Sequence, residues 1–100
     1  MPNLLRMDNK TKEFFIRLKS QLEEGHQWPA EYLFKFIVPT DKQKIEAVEN
    51  AFNGMGAVMR TTKSKNATYT SVSINVPMDS PQHVIDKYIE LAAIEGIISL

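Results

Sequence analysis

The stretch YLFKFIVPTDKQ, residues 32–43, decides most of the fold, because it joins a hydrophobic strand to the start of a helix. Side chains in the first part alternate between two directions, which is the period of a β-strand. One set is wholly apolar: Phe34, Phe36 and Val38. The other set contains one lysine: Leu33, Lys35 and Ile37. We therefore predict a central strand over residues 31–38, covered on both faces, with Lys35 on the less buried face.

The turn after this strand has the features of a helix start. Thr40 and Gln43 match the capping-box pattern, and Asp41 adds a negative charge where the helix dipole favours it. Such a cap contributes about 1 kcal/mol. No glycine lies between Val38 and Lys42, and Asp41 would repel an anion, so the turn is a poor phosphate cradle.

Working outward, the sequence predicts three helices and three further strands. The helices are expected over residues 11–24, from the Thr40 turn to Asn53-Gly54, and from Pro81 to about Ile94. The strands are expected over residues 57–63, 68–76 and 97–100, and Asn66 is the residue expected to take a positive φ between the first two. The third strand alternates an apolar set with a polar one, so it has one core face.

This order predicts an α+β fold, a ferredoxin-like βαββαβ domain with an antiparallel sheet in the order 4-1-3-2 and an extra N-terminal helix. We expect residues 1–10 to be flexible and residues 11–100 to form a single domain with its βαββαβ core at 31–100. The apolar side chains of Leu33 and Ile37 suggest that the N-terminal helix covers part of the outer sheet face.

Composition limits the class of protein. The chain of 100 residues is 43% hydrophobic and 24% charged, which is ordinary for a folded protein. It has no apolar run of the ~18 residues that span a membrane and no stretch typical of a secretion signal. It also lacks cysteine, which removes disulfides and thiol chemistry. We therefore expect a cytoplasmic protein without membrane contact.

The charges balance, with 12 basic and 12 acidic residues, which disfavours nucleic acid as a partner. Their distribution is uneven, because residues 54–78 contain Arg60, Lys63 and Lys65 and no acid. This basic hairpin is either an edge protected against aggregation or a binding patch.

No motif for catalysis, metal or cofactor binding is present in the sequence. His26 and His83 are far apart and have no partner ligand at metal spacing, and no serine is paired with a histidine at a recognisable spacing. We expect a non-catalytic protein without a cofactor. Single-stranded RNA binding is the alternative, but only Tyr69, helped by Lys35 on the same face, could stack on a base.

A regulatory or interaction domain remains, with a small metabolite or a protein as partner and with a homodimer possible. Domains of this fold in the ACT class bind amino acids near the first strand-to-helix turn, which here contains Thr40. Pro39 removes a backbone donor from that turn. The candidate binding residues are Lys35, Thr40, Arg60, Lys63, Lys65 and Tyr69.

The chain from Trp28 to Leu100 resembles the YbeD-like family of small bacterial proteins of unknown function. The resemblance is carried by Trp28-Pro29, by Lys35, by the run YTSVSI at 69–74, and by a helix with Tyr88 that leads into Gly96-Ile97-Ile98. Many members have a glycine after the first strand, where this chain has Val38-Pro39. The resemblance implies a fold similar to ACT-type regulatory domains and provides no catalytic residue.

Overall fold

A computed structural model describes residues 9–99 and shows an α+β architecture within them. Its elements are α1 (Asn9–Gly25), β1 (Ala30–Pro39), α2 (Lys42–Ala51), β2 (Val58–Lys63), β3 (Tyr69–Met78), α3 (Pro81–Leu91) and β4 (Ile98–Ser99). The sheet has the order β2-β3-β1-β4, and each neighbouring pair is antiparallel. The predicted ferredoxin-like fold with an N-terminal helix is confirmed. Of the segment 1–10 that we expected to be flexible, residues 1–8 lie outside the described residues, as does Leu100, while Asn9 and Lys10 belong to α1.

The core lies on one side of the sheet, between β1, β3 and the helices. Alternate residues of the two central strands are almost fully buried: Phe34, Phe36, Val38, Val72, Ile74 and Val76. Val48 of α2 and Val84 and Leu91 of α3 pack against them from the helical side. The intervening residues of both strands point to the opposite side, so the predicted alternation is confirmed.

Helix α1 packs beside α3 on this same helical side. The rings of Phe15 and Tyr88 lie 6.4 Å apart, and Leu22 is buried. The indole nitrogen of Trp28, which precedes a cis proline, donates to the Leu22 carbonyl at 3.1 Å. The prediction that this helix covers the outer sheet face is therefore wrong. Phe15 and Leu18 of α1 pack against the buried core, and Phe15 lines a cleft together with Ser99 of β4, so α1 lies over the core near that edge of the sheet.

The start of α2 also differs from the capping box that we predicted. The N-cap is Asp41, whose carboxylate accepts the Gln43 N–H at 2.9 Å, rather than Thr40. The strand continues through Pro39, which pairs with Tyr69, and this shifts the helix start by one residue. At α3 the predicted cap is confirmed, since Ser80 accepts the His83 N–H at 3.1 Å and Pro81 follows it.

Several other helix and strand boundaries differ from the predicted ones by one to three residues. In the hairpin between β2 and β3, the positive φ of 57° belongs to Ala67 and not to Asn66. Strand β3 extends to Met78, while α3 ends at Leu91, three residues before Ile94.

Candidate functional site

The sheet face opposite the helices, which we call the outer face, is where the structure gathers several of the predicted binding residues. The strand register places Ser73 of β3 between Lys35 of β1 and Arg60 of β2. Since neighbouring strands are ~4.8 Å apart, the Cα atoms of Lys35 and Arg60 are about 10 Å from each other. Both side chains are long enough to reach over the Ser73 hydroxyl, so these three residues form one row, the cationic row.

Apolar side chains flank the cationic row on both sides. On one side the register aligns Leu33 and Val58 across Asn75, and these two apolar residues are 44% and 60% exposed. On the other side Ile37 pairs with Ile98, which is 50% exposed. These exposures show that no described element between residues 9 and 99 covers this face.

Within residues 9–99, Lys35 and Arg60 form no ion pair with an acidic side chain. In the described part of the chain the ion pairs lie elsewhere, between Lys42 and Glu46, His83 and Asp79, and Lys87 and Glu90. Glu31 shares the outer face with Lys35, but four residues of extended strand separate them by about 13 Å.

Tyr69 lies on the outer face beside Pro39 and is 43% exposed. It is four residues from Ser73 along β3, so its ring is not part of the cationic row. The other hairpin cations are not gathered there either. Lys63 pairs with the buried Thr70 and therefore projects to the helical side, and Lys65 lies in the connecting turn.

Sequence reasoning missed two apolar members of the outer face, Val58 and Ile98. The signal for Val58 was present, because it lies two residues before Arg60 and must share its face in a strand. Ile98 could be assigned only with the pairing of β4 to β1, which puts it opposite Ile37.

The Thr40 turn has few free groups with which to hold a ligand. The Thr40 N–H donates to the Thr68 carbonyl at 2.9 Å, and the Thr40 and Thr70 hydroxyls are 3.0 Å apart. Pro39 has no N–H, and the Asp41 carboxylate occupies the N-terminus of α2. The turn therefore joins β1 to β3 and caps a helix.

Two of the clefts on the helical side of the molecule border the core. One, of about 220 Å³, lies between α1 and α3 over the hydroxyls of Tyr32 and Tyr88, which are 2.9 Å apart. Burial, together with the hydrogen bond to Tyr32, raises the pKa of Tyr88 above its ordinary value and keeps its hydroxyl neutral. The other, of about 450 Å³, lies between the end of α2 and the start of β2, with Glu49, Asn50 and Met59 in its wall.

Residues 9–99 contain no group of three or more histidine, cysteine, aspartate and glutamate side chains that could hold a metal ion. Over the same residues, none of the helices has both the length and the apolar character needed to cross a bilayer.

Comparison with known proteins adds one finding. A search of curated proteins and a search of solved structures each returned no match. The model of the family DUF493, described as a protein of unknown function, matches residues 23–100, which include the whole sheet and the cationic row. This agrees with the resemblance to the YbeD family found in the sequence. The chain therefore belongs to DUF493, the YbeD family, whose function is unknown.

Proposed function

We propose that this domain is a non-catalytic interaction module of the cytoplasm that binds a protein partner with the outer face of its sheet. The observation that carries the proposal is the exposure of Leu33, Val58 and Ile98 on one continuous face. Single exposed apolar residues are ordinary, whereas several on one sheet face beside polar residues favour an interaction site.

The arrangement of the outer face favours a protein over a nucleic acid. Bases are held on a sheet mainly by stacking on aromatic rings. Tyr69 is the one aromatic residue among the described residues of this face, while the central positions hold Lys35 and Ser73. Exposed aliphatic side chains instead supply apolar contact area for a protein surface, and arginine, here Arg60, is a residue type enriched in protein interfaces.

A small metabolite at the Thr40 turn has less support. Pro39 has no backbone N–H, the Thr40 N–H donates to the Thr68 carbonyl, and the Gln43 N–H donates to the Asp41 carboxylate. The regulatory role therefore depends on a partner at the outer face.

The test compares partner capture by three forms of the purified domain. In the first variant Leu33→Glu and Val58→Glu place two charges on the outer face. The matched control is Ile16→Glu on α1, a residue that is 68% exposed but lies away from the sheet. We expect wild type and Ile16→Glu to capture the same proteins from lysate. The double variant should not capture them. Equal capture by all three forms would contradict the proposal.

A further inference from the structure

We propose that the cationic row, Lys35, Ser73 and Arg60, binds a carboxylate of the partner, so the docked surface carries an acidic side chain among aliphatic ones. This inference rests on the proposed function, because it names the chemistry of the partner for the same face.

The first argument is the unbalanced charge at the centre of the outer face. Lys35 and Arg60 form no ion pair within residues 9–99, and the hairpin segment 54–78 that carries Arg60 has no acid. A partner that covers the face removes water from both cations, and buried charges without a counter-charge are costly. A stable complex therefore needs an anionic group at this position.

The second argument is geometry. The register places Lys35 and Arg60 on the strands either side of the half-buried Ser73, so one carboxylate above the Ser73 hydroxyl lies within reach of all three side chains. Hydrogen bonds between ionised groups are the stronger class, and the arginine fork matches a carboxylate. Leu33 and Ile37 lie one row away on either side, about 7 Å along the strand. The partner surface that fits this face therefore has aliphatic side chains about 7 Å to either side of its acidic side chain.

The charge also argues against a second copy of this chain as the occupant. If two outer faces stack about a two-fold axis at their centre, four cations from Lys35 and Arg60 face each other. Like charges brought together at an interface cost binding energy and suppress that pairing. RNA is also a poorer match, because its phosphates would contact the cations while its polar bases and sugars covered the aliphatic side chains.

The experiment uses the full chain with the photo-cross-linker p-benzoylphenylalanine in place of Asn75. This exposed residue lies between Leu33 and Val58 and is next to the cationic row. Lysate is irradiated with the domain, and the cross-linked partner peptide is sequenced. The partner is then purified and its affinity is measured for wild type, for Lys35→Glu with Arg60→Glu, and for the control Lys65→Glu in the turn.

We expect an aspartate or glutamate in or beside the cross-linked peptide, and a loss of affinity of roughly tenfold or more for the double variant only. Exchange of that partner acid for lysine restores binding to the double variant. A partner that binds the double variant as tightly as wild type overturns the carboxylate inference and leaves the proposed function standing. No cross-linked protein, or cross-links only to RNA or to a second copy, overturns both.

Discussion

Gly96 provides a quantitative test of how the last turn of the chain packs on β1. Its φ is +82°, a left-handed conformation, and a Cβ added there would lie 2.8 Å from Cγ and 3.3 Å from Cδ of Pro39. Alanine in a left-handed conformation costs about 1–2 kcal/mol. Forcing a methyl group against the stiff proline ring adds about 1–3 kcal/mol. We therefore expect Gly96→Ala to lower the free energy of unfolding by about 2–5 kcal/mol.

Gly54 is the matched control for this variant. Its φ is +77°, but a Cβ there would have no heavy atom within 4 Å outside its neighbours. Gly54→Ala should therefore lose only the conformational part, about 1–2 kcal/mol. Gly25, within α1, has neither a positive φ nor a close contact, so Gly25→Ala should be neutral or stabilising by up to about 1 kcal/mol.

The assay is urea unfolding followed by circular dichroism, with thermal melting as a second measure. For a domain of this size each 1 kcal/mol corresponds to roughly 4–8 °C in Tm. Adding Pro39→Ala to Gly96→Ala should recover about 1–3 kcal/mol, since the clashing ring atoms are gone. The packing argument is refuted if Gly96→Ala and Gly54→Ala lose the same free energy, or if Pro39→Ala brings no recovery.

Three further outcomes are expected. Asp41→Ala should lower the free energy of unfolding by about 1 kcal/mol in urea while Asp41→Asn should not, because asparagine keeps the N-cap; equal loss would contradict the cap. The raised pKa of Tyr88 stabilises the fold below the unfolded tyrosine pKa of about 10, so stability should fall as pH rises above that value. Tyr88→Phe should show a smaller fall between about pH 9.5 and about pH 11.5, and an unchanged fall would rule out this group. Leu33→Glu should change stability by less than about 1 kcal/mol in thermal melting, since Leu33 is exposed, and a larger loss would show that the outer face is covered.

The sheet could be predicted from sequence because its information is local. Period-two alternation in residues 33–38 and 69–76 assigns each side chain to a face without knowledge of any other element. The proline at 81 after Ser80 likewise marked a helix start that the structure confirms.

The packing position of α1 could not be predicted from the sequence, because it depends on contacts between distant segments. The apolar stripe of α1 predicts that Phe15 and Leu22 are buried, but not whether they pack on α3 or on the outer face. The structure places the Phe15 ring against Tyr88 of α3, on the helical side of the sheet. Since α1 packs there, the outer face that we expected to be covered is open.

The candidate site could be predicted only in part, because it depends on the pairing of strands that are distant in the sequence. The sequence indicates Lys35 and Arg60 as separate candidates, and only the register of β3 with both strands brings them to either side of Ser73. The prediction of one basic patch holding both Arg60 and Lys63 is wrong, because an odd spacing along a strand puts these residues on opposite faces.

The most direct test of the outer face as a docking surface is methyl cross-saturation in the complex with the captured partner. The domain is deuterated and carries protonated methyl groups on isoleucine, leucine and valine, and the partner's protons are saturated. We predict signal loss at the methyl groups of Leu33, Val58 and Ile98, with Ile16 on α1 unaffected. Signal loss at Ile16 with the outer-face methyl groups unchanged would contradict the account.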